Sequence, residues 1–90
     1  MKTLNLNVKR IYFERVRDGE KSEEYRLVTP YWHKRLVGRQ YDQIRYCLGY
    51  PRAGNSERTL IFPYRGFNIK IVTHEHFGEK PVQVFAIPLQ

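Results

Sequence analysis

The sequence predicts an α+β fold, a small β-barrel of five or six mostly antiparallel strands with two short helices. Strand-like alternation of apolar and polar residues recurs along the chain, and two short segments carry helix signals. Ninety residues suffice for one modest core but not for two. Closing so few strands into a barrel would remove their exposed edges. We therefore expect residues 1–90 to form a single domain.

The first half of the chain predicts two short helices. Apolar residues recur there at three- and four-residue spacing, which favours one face of a helix; they are Val8, Ile11, Tyr12 and Val16. Gly19 is expected to end this helix in the left-handed conformation, which costs glycine little. The second helix is expected to begin after Thr29, whose side chain can cap it, with Pro30 at the first helical position.

The second half predicts mostly strands. Ile44, Tyr46 and Leu48 alternate with other residues at the period of a half-buried strand. The same period recurs later in the chain, at Phe67, Ile69 and Ile71. Residues 59–62 predict a further strand, followed by a turn at 63–66. The nearly continuous apolar run 82–87 favours a strand that is buried on both faces.

One turn, residues 19–26, gathers a glycine, a lysine, two carboxylates, a tyrosine and an arginine. If the chain becomes extended after the turn, Glu24 and Arg26 point to one side, and Glu23 and Tyr25 point to the other. Lys21 lies in the turn, where its side chain can swing toward either face. The residues alone fit both an exposed turn of ion pairs, worth little to stability, and a ligand cleft.

Four positions of this turn match the pattern GxKxxExR; they are Gly19, Lys21, Glu24 and Arg26. The chain therefore resembles the ASCH domain family, small β-barrels related to PUA-like domains. The resemblance covers nearly the whole chain, from an opening strand with Leu4 and Leu6 to a last strand ending at residues 86–87. It implies a single PUA-like barrel that binds RNA or a modified nucleotide in a cleft beside the signature.

The same resemblance raises an enzymatic alternative. Some small bacterial members of the family remove the acetyl group from N(4)-acetylcytidine with a lysine that matches Lys21, a threonine and a downstream glutamate. In this chain Glu24 replaces the threonine, and Glu75 is the candidate for the downstream carboxylate. Catalysis by Lys21, Glu24 and Glu75 therefore stays open. In that reaction Glu24 or Glu75 would activate a water, and Lys21 with Arg26 would stabilise the developing oxyanion. Ribonuclease activity stays open as well.

The charge of the chain predicts an anionic partner. Sixteen Lys and Arg residues against nine Asp and Glu give a net charge of +7, so RNA or a nucleotide-like ligand is the expected partner. An acidic protein surface would also suit this charge. Further candidate ligand contacts are basic or aromatic: Tyr31, Trp32, Lys34, Arg35 and Arg45. Residues 31–35 fit equally well a helix that has Trp32 in the core and Lys34 and Arg35 on its solvated face.

Several classes of protein are not expected. One cysteine excludes an internal disulfide, and no apolar run approaches the roughly 20 residues needed to span a bilayer. The sequence predicts a cytoplasmic protein, with a monomer favoured. His74 and His76 would project together from a strand, but no third ligand stands at a recognised spacing. We therefore expect no metal and no cofactor.

Overall fold

Two helices and six strands make up the part of the chain described by the computed structural model, residues 1–49, 56–74 and 77–90. Helix α1 spans Arg10–Arg17, and helix α2 spans Pro30–Leu36. The strands are β1 (Thr3–Val8), β2 (Glu23–Leu27), β3 (Gln43–Leu48), β4 (Thr59–Pro63), β5 (Asn68–Val72) and β6 (Val82–Pro88). Neither helix in these residues is long and apolar enough to cross a membrane.

The strands form two three-stranded sheets, one in the order β1-β3-β4 and the other in the order β2-β6-β5. Strand β3 is parallel to β1 and antiparallel to β4, whereas β6 is antiparallel to both of its neighbours. The parallel pair requires a long crossover, which α1, β2 and α2 provide. Residues Val84 to Ile87 of the central strand β6 are all fully buried, which confirms the predicted strand with two buried faces.

The predicted closed barrel is wrong, because no backbone ladder joins the two sheets within the described residues. The chain is a small α+β domain with two open sheets. Where β2 approaches β1, a side chain makes the contact, since Arg26 Nη2 donates to the Asn7 carbonyl at 3.1 Å. Closure depends on long-range pairing between edge strands, which the number and period of the strands do not specify.

The edge strand β5 is more exposed than its alternating pattern predicts. Ile69 and Ile71 are 51% and 74% exposed, although the preceding Phe67 packs edge-on against Phe85 with ring centroids 5.0 Å apart. The strand itself is where we expected it. Its period identifies residues that share a face, but burial requires another layer to cover that face.

The hydrophobic core joins both sheets and both helices. Its largest fully buried side chains include Leu6 of β1, Phe13 of α1, Leu36 of α2, Tyr46 of β3 and Phe85 of β6. The rings of Phe13 and Tyr46 stack with their centroids 6.3 Å apart. Burial of one such apolar side chain stabilises a fold by roughly 1.5–3 kcal/mol. Side-chain packing therefore holds the two sheets together without a shared ladder.

Helix α1 packs through a face that differs from the predicted stripe. Phe13 and Val16 are buried, whereas Ile11 is 49% exposed. Val8 belongs to β1, and the helix begins only at Arg10. The apolar spacing indicated the helix correctly, but packing of α1 on β3 determines which of its residues face the core.

The turn after α1 has the predicted left-handed glycine. Gly19 has a φ of +80°, and the next two backbone N–H groups, of Glu20 and Lys21, donate to the Arg15 carbonyl at 2.8 and 3.1 Å. These bonds satisfy a backbone carbonyl at the end of the helix and turn the chain directly toward β2. The position of the signature residues in β2 therefore depends on this turn.

Replacing Gly19 tests that dependence. We expect Gly19→Ala to lower the free energy of unfolding by about 1–2 kcal/mol, because an L-residue is strained at positive φ. No atom lies within 4 Å of the added Cβ, so a clash contributes nothing. Gly19→Asn should cost less, since asparagine adopts this conformation more readily. Urea denaturation measures both variants, and equal losses would contradict a conformational origin.

Candidate ligand-binding cleft

A cleft of about 720 Å³ opens where the ends of β1 and β3 approach β2 and the two helices. This volume lies within the usual range for small-molecule sites, roughly 300–1,000 Å³. The charged Lys, Arg, Asp and Glu residues among its described lining are Lys9, Lys21, Glu24, Arg26 and Arg58. The described lining holds four cations and one carboxylate, so the cleft is electropositive and suits an anionic ligand.

Glu24 is the one carboxylate among the described lining residues and is 5% exposed. Its Oε2 accepts a hydrogen bond from Arg26 Nη2 at 2.7 Å, and its Oε1 accepts one from Lys21 Nζ at 3.3 Å. The Tyr46 hydroxyl donates to the same Oε1 at a longer 3.5 Å. These three donors replace the water that a buried carboxylate loses. We call Lys21, Glu24 and Arg26 the Glu24 ion cluster.

The alternation of β2 positions this cluster as the sequence predicts. Glu24 and Arg26 are two residues apart and meet in an ion pair. Glu23 instead accepts from the Tyr25 hydroxyl at 3.3 Å and from Lys70 Nζ at 2.9 Å. The side chain of Lys21, which could have turned either way, is directed to Glu24.

Trp32 forms one aromatic wall of the cleft. Its position follows from the start of α2, where Pro30 occupies the first turn and the Thr29 hydroxyl accepts a hydrogen bond from Trp32 N at 3.3 Å, as predicted. The side chain packs partly against the core, and its ring lies 4.9 Å from the Arg26 guanidinium carbon. Trp32 therefore belongs both to the core and to the cleft, the two alternatives that the sequence left open.

A second wall consists of Tyr12, Tyr25 and His74. The Lys21 ammonium lies 4.8 Å from the Tyr12 ring centroid and 5.6 Å from that of Tyr25. The His74 ring lies 6.0 Å from both tyrosine rings. Attraction between a cation and an aromatic face holds Lys21 beside Glu24. Both cations of the Glu24 ion cluster therefore lie against aromatic rings.

The cleft brings together several of the predicted contacts but not all of them. Those that line it are Lys21, Glu24, Arg26, Tyr31 and Trp32. Those that do not line it are Gly19, Lys34, Arg35 and Arg45. Arg45 alternates with the buried Ile44 and Tyr46 along β3, so it is directed away from the core face. The catalytic candidate Glu75 lies outside the described residues, as does His76.

Several lining residues were not assigned to a site from the sequence: Asn7, Lys9, Tyr12, Tyr25, Arg58, His74 and Phe77. The helical spacing of Tyr12 placed it on one face of α1 but did not indicate what that face contacts. No sequence pattern singled out Arg58. It lies against the left-handed Gly49, with Nη2 3.6 Å from where a Cβ would stand, and this contact exists only in the folded chain.

Tyr46 acts as a neutral hydrogen-bond donor inside the protein. Burial raises its pKa well above the ordinary tyrosine value of 10.0, and the Glu24 carboxylate raises the pKa further, although Arg26 acts in the opposite direction. The phenol therefore keeps its proton at neutral pH. This proton is the one that points to Glu24.

The arrangement suits recognition of a flat, polar and anionic molecule. Aromatic walls can stack on a base, the Glu24 carboxylate can accept from an amino or imino N–H, and the surrounding cations can pair with phosphate. Within the described residues, no group of three His, Cys, Asp or Glu side chains is placed to hold a metal ion.

Comparison of the chain with protein-family models, with curated proteins and with solved structures gave no match. The resemblance to ASCH domains stays a prediction based on the signature residues.

Adjacent glutamates on β2 provide a matched test of the Glu24 ion cluster. Glu24→Gln is expected to lower the free energy of unfolding by about 2 kcal/mol or more, because it leaves two partly buried cations without their carboxylate. Glu23→Gln removes an ion pair with Lys70 that is far more exposed and should cost less than about 1 kcal/mol. Urea denaturation of both variants measures the difference, and equal costs would contradict a buried cluster.

Alkaline pH should destabilise the protein through Tyr46. Folding raises the pKa of this phenol, so its contribution to stability is fully present below pH 10.0, the ordinary tyrosine value, and is lost as the pH rises toward the folded pKa. Tyr46→Phe has no proton to lose and should show a shallower alkaline decline in unfolding free energy. Urea denaturation at a series of pH values measures the slope. Parallel slopes for the two proteins would contradict this role.

Proposed function

We propose that the protein binds RNA or a nucleotide-like ligand in the cleft marked by Lys21, Glu24 and Arg26. The observation that carries this proposal is the buried Glu24 carboxylate, held between two cations inside a cleft with aromatic walls. Transfer of charges out of water costs several kcal/mol per ion before their attraction is counted. Since apolar residues would stabilise the position at least as well, a role in recognition accounts for the cluster better than stability does.

The surroundings of the cluster support the same class of ligand. Trp32 and the wall formed by Tyr12, Tyr25 and His74 supply flat surfaces for a base. The excess of cations over carboxylates in the lining supplies the attraction for phosphate, in agreement with the net charge of +7. A neutral ligand would gain nothing from that excess.

The ASCH-like signature agrees with the proposal, because the resemblance implies RNA or modified-nucleotide binding at these same positions. We also propose that the protein acts as a monomer in the cytoplasm, where RNA and nucleotides are available. Because phosphate pairing is electrostatic, the part of the binding free energy that comes from it should depend on ionic strength.

One observation favours a hydrolase as the second candidate. Lys21 Nζ lies 3.3 Å from Glu24 Oε1, so a base and a cation that can stabilise an oxyanion are adjacent in the cleft. An acylated nucleoside of the N(4)-acetylcytidine type, or RNA itself, would be the substrate. Binding remains the primary proposal, because Glu24 already accepts from three donors and a water would compete with them.

Titration with single-stranded RNA at low and moderate salt tests the binding proposal. Trp32 is the one tryptophan of the chain and lines the cleft, so its fluorescence reports binding there without a label. Affinity should fall steeply with salt. Lys21→Ala should weaken binding about tenfold or more, because a charge-assisted hydrogen bond is lost.

Lys70→Ala is the matched control for Lys21→Ala. Both lysines pair with neighbouring glutamates of β2, but Lys70 does not line the cleft, so its removal should change affinity little. Chromatography of the same samples, and of parallel samples with N(4)-acetylcytidine, detects any RNA cleavage or acetate release. Product that disappears in Lys21→Ala would establish the hydrolase instead. Binding unchanged by Lys21→Ala, with no product, would rule out this site.

A further inference from the structure

We propose that the ligand is a single strand of at least two nucleotides and that Tyr31 and Arg35 form a second subsite beside the cleft. The inference rests on the proposed function, because the cleft must hold the first nucleotide. The second subsite would take the neighbouring base on the Tyr31 surface and the adjoining phosphate on Arg35. A free nucleoside would occupy only the cleft and not the second subsite.

The orientation of two neighbouring rings is the first argument. Tyr31 and Trp32 both line the cleft, and their ring centroids lie 5.2 Å apart with an angle of 78° between the planes. A flat base that stacks on Trp32 therefore cannot stack on Tyr31 as well. Arg35 covers one face of the Tyr31 ring, but the residue is still 55% exposed, so the remaining ring surface is accessible to a different base.

The second argument is the way in which Arg35 is held. Its guanidinium carbon lies 3.4 Å from the Tyr31 ring centroid, and Nη1 donates to the Tyr31 carbonyl at 3.2 Å. A guanidinium stacked on a ring keeps N–H groups directed outward in its own plane, where they suit phosphate oxygens. Among the residues that the structure describes, no carboxylate forms an ion pair with Arg35. Its charge is thus available to a ligand.

Continuity with the cleft is the third argument. The contacts run from Arg35 to Tyr31, from Tyr31 to Trp32, and from Trp32 to Arg26, which pairs with Glu24. Cations and rings therefore follow one another from the surface of α2 to the Glu24 ion cluster. RNA-binding surfaces use both aromatic faces and arginine planes to stack unpaired bases. This row of side chains would contact adjacent nucleotides of one strand.

The experiment compares short mixed-sequence single-stranded RNA with the four nucleoside 5′-monophosphates, by fluorescence titration of the full chain. For Tyr31→Ala we expect the RNA affinity to fall about 5- to 100-fold, as for loss of one stacked base, and by a clearly larger factor than the monophosphate affinity. Tyr31→Phe keeps the ring and should retain RNA affinity. The Tyr31 side chain is exposed, so circular dichroism should show that both variants are folded.

Salt dependence tests the phosphate contact separately. Arg35→Ala should reduce the slope of log affinity against log salt by about 0.7 for single-stranded RNA, the value for one lost phosphate contact. Arg65→Ala removes the same charge from an exposed turn that does not line the cleft, and its slope should stay that of the unmodified chain.

Two results would overturn the second subsite while the cleft proposal stands. One is equal loss of RNA and monophosphate affinity in Tyr31→Ala, and the other is RNA that binds the unmodified chain no more tightly than the monophosphates do. Failure of both probes to bind the unmodified chain would overturn the proposed function and this inference together.

Discussion

The Glu24 ion cluster is the interaction on which the arrangement around the cleft depends. Arg26 connects it to the Asn7 carbonyl of β1 and to the Trp32 ring of α2. Lys21 connects it to Tyr12 of α1, and the Tyr46 hydroxyl connects it to β3. One buried carboxylate therefore organises contacts from five elements. Lys21 and Arg26 are near Glu24 in the sequence, whereas Tyr46 is distant from it. Both the local turn and the tertiary packing must therefore form before all of these contacts are complete.

The cleft lies where the two sheets approach each other without a shared ladder in the described residues. At the junction of β1 and β2, the Arg26 side chain donates to the Asn7 carbonyl of β1. The cleft is lined by residues of both strands at this junction. The Arg26 side chain thus links the two strands and provides a cationic wall of the cleft.

Charge and shape act at different ranges in the proposed recognition. The net charge of +7 and the four cations of the lining attract a polyanion over roughly a Debye length, about 8–10 Å in physiological salt. Stacking against Trp32 or Tyr12 acts only on contact. Glu24 would repel a phosphate but accept an N–H, so it would orient a bound nucleotide with its base toward the cluster. A carboxylate within a basic cleft thereby adds selectivity to an otherwise general attraction.

The sequence by itself determined the features that depend on neighbouring residues. The left-handed Gly19, the Thr29 cap, the pairing of Glu24 with Arg26 and the buried run of β6 follow from local conformation and strand period, and the structure contains all of them. Tertiary structure alone decided the open sheets, the burial of Phe13 in place of Ile11, the exposure of Ile71 and the contact of Arg58 with Gly49. Those features depend on which distant segments pack together, and the period of a sequence pattern does not specify which surface packs against it.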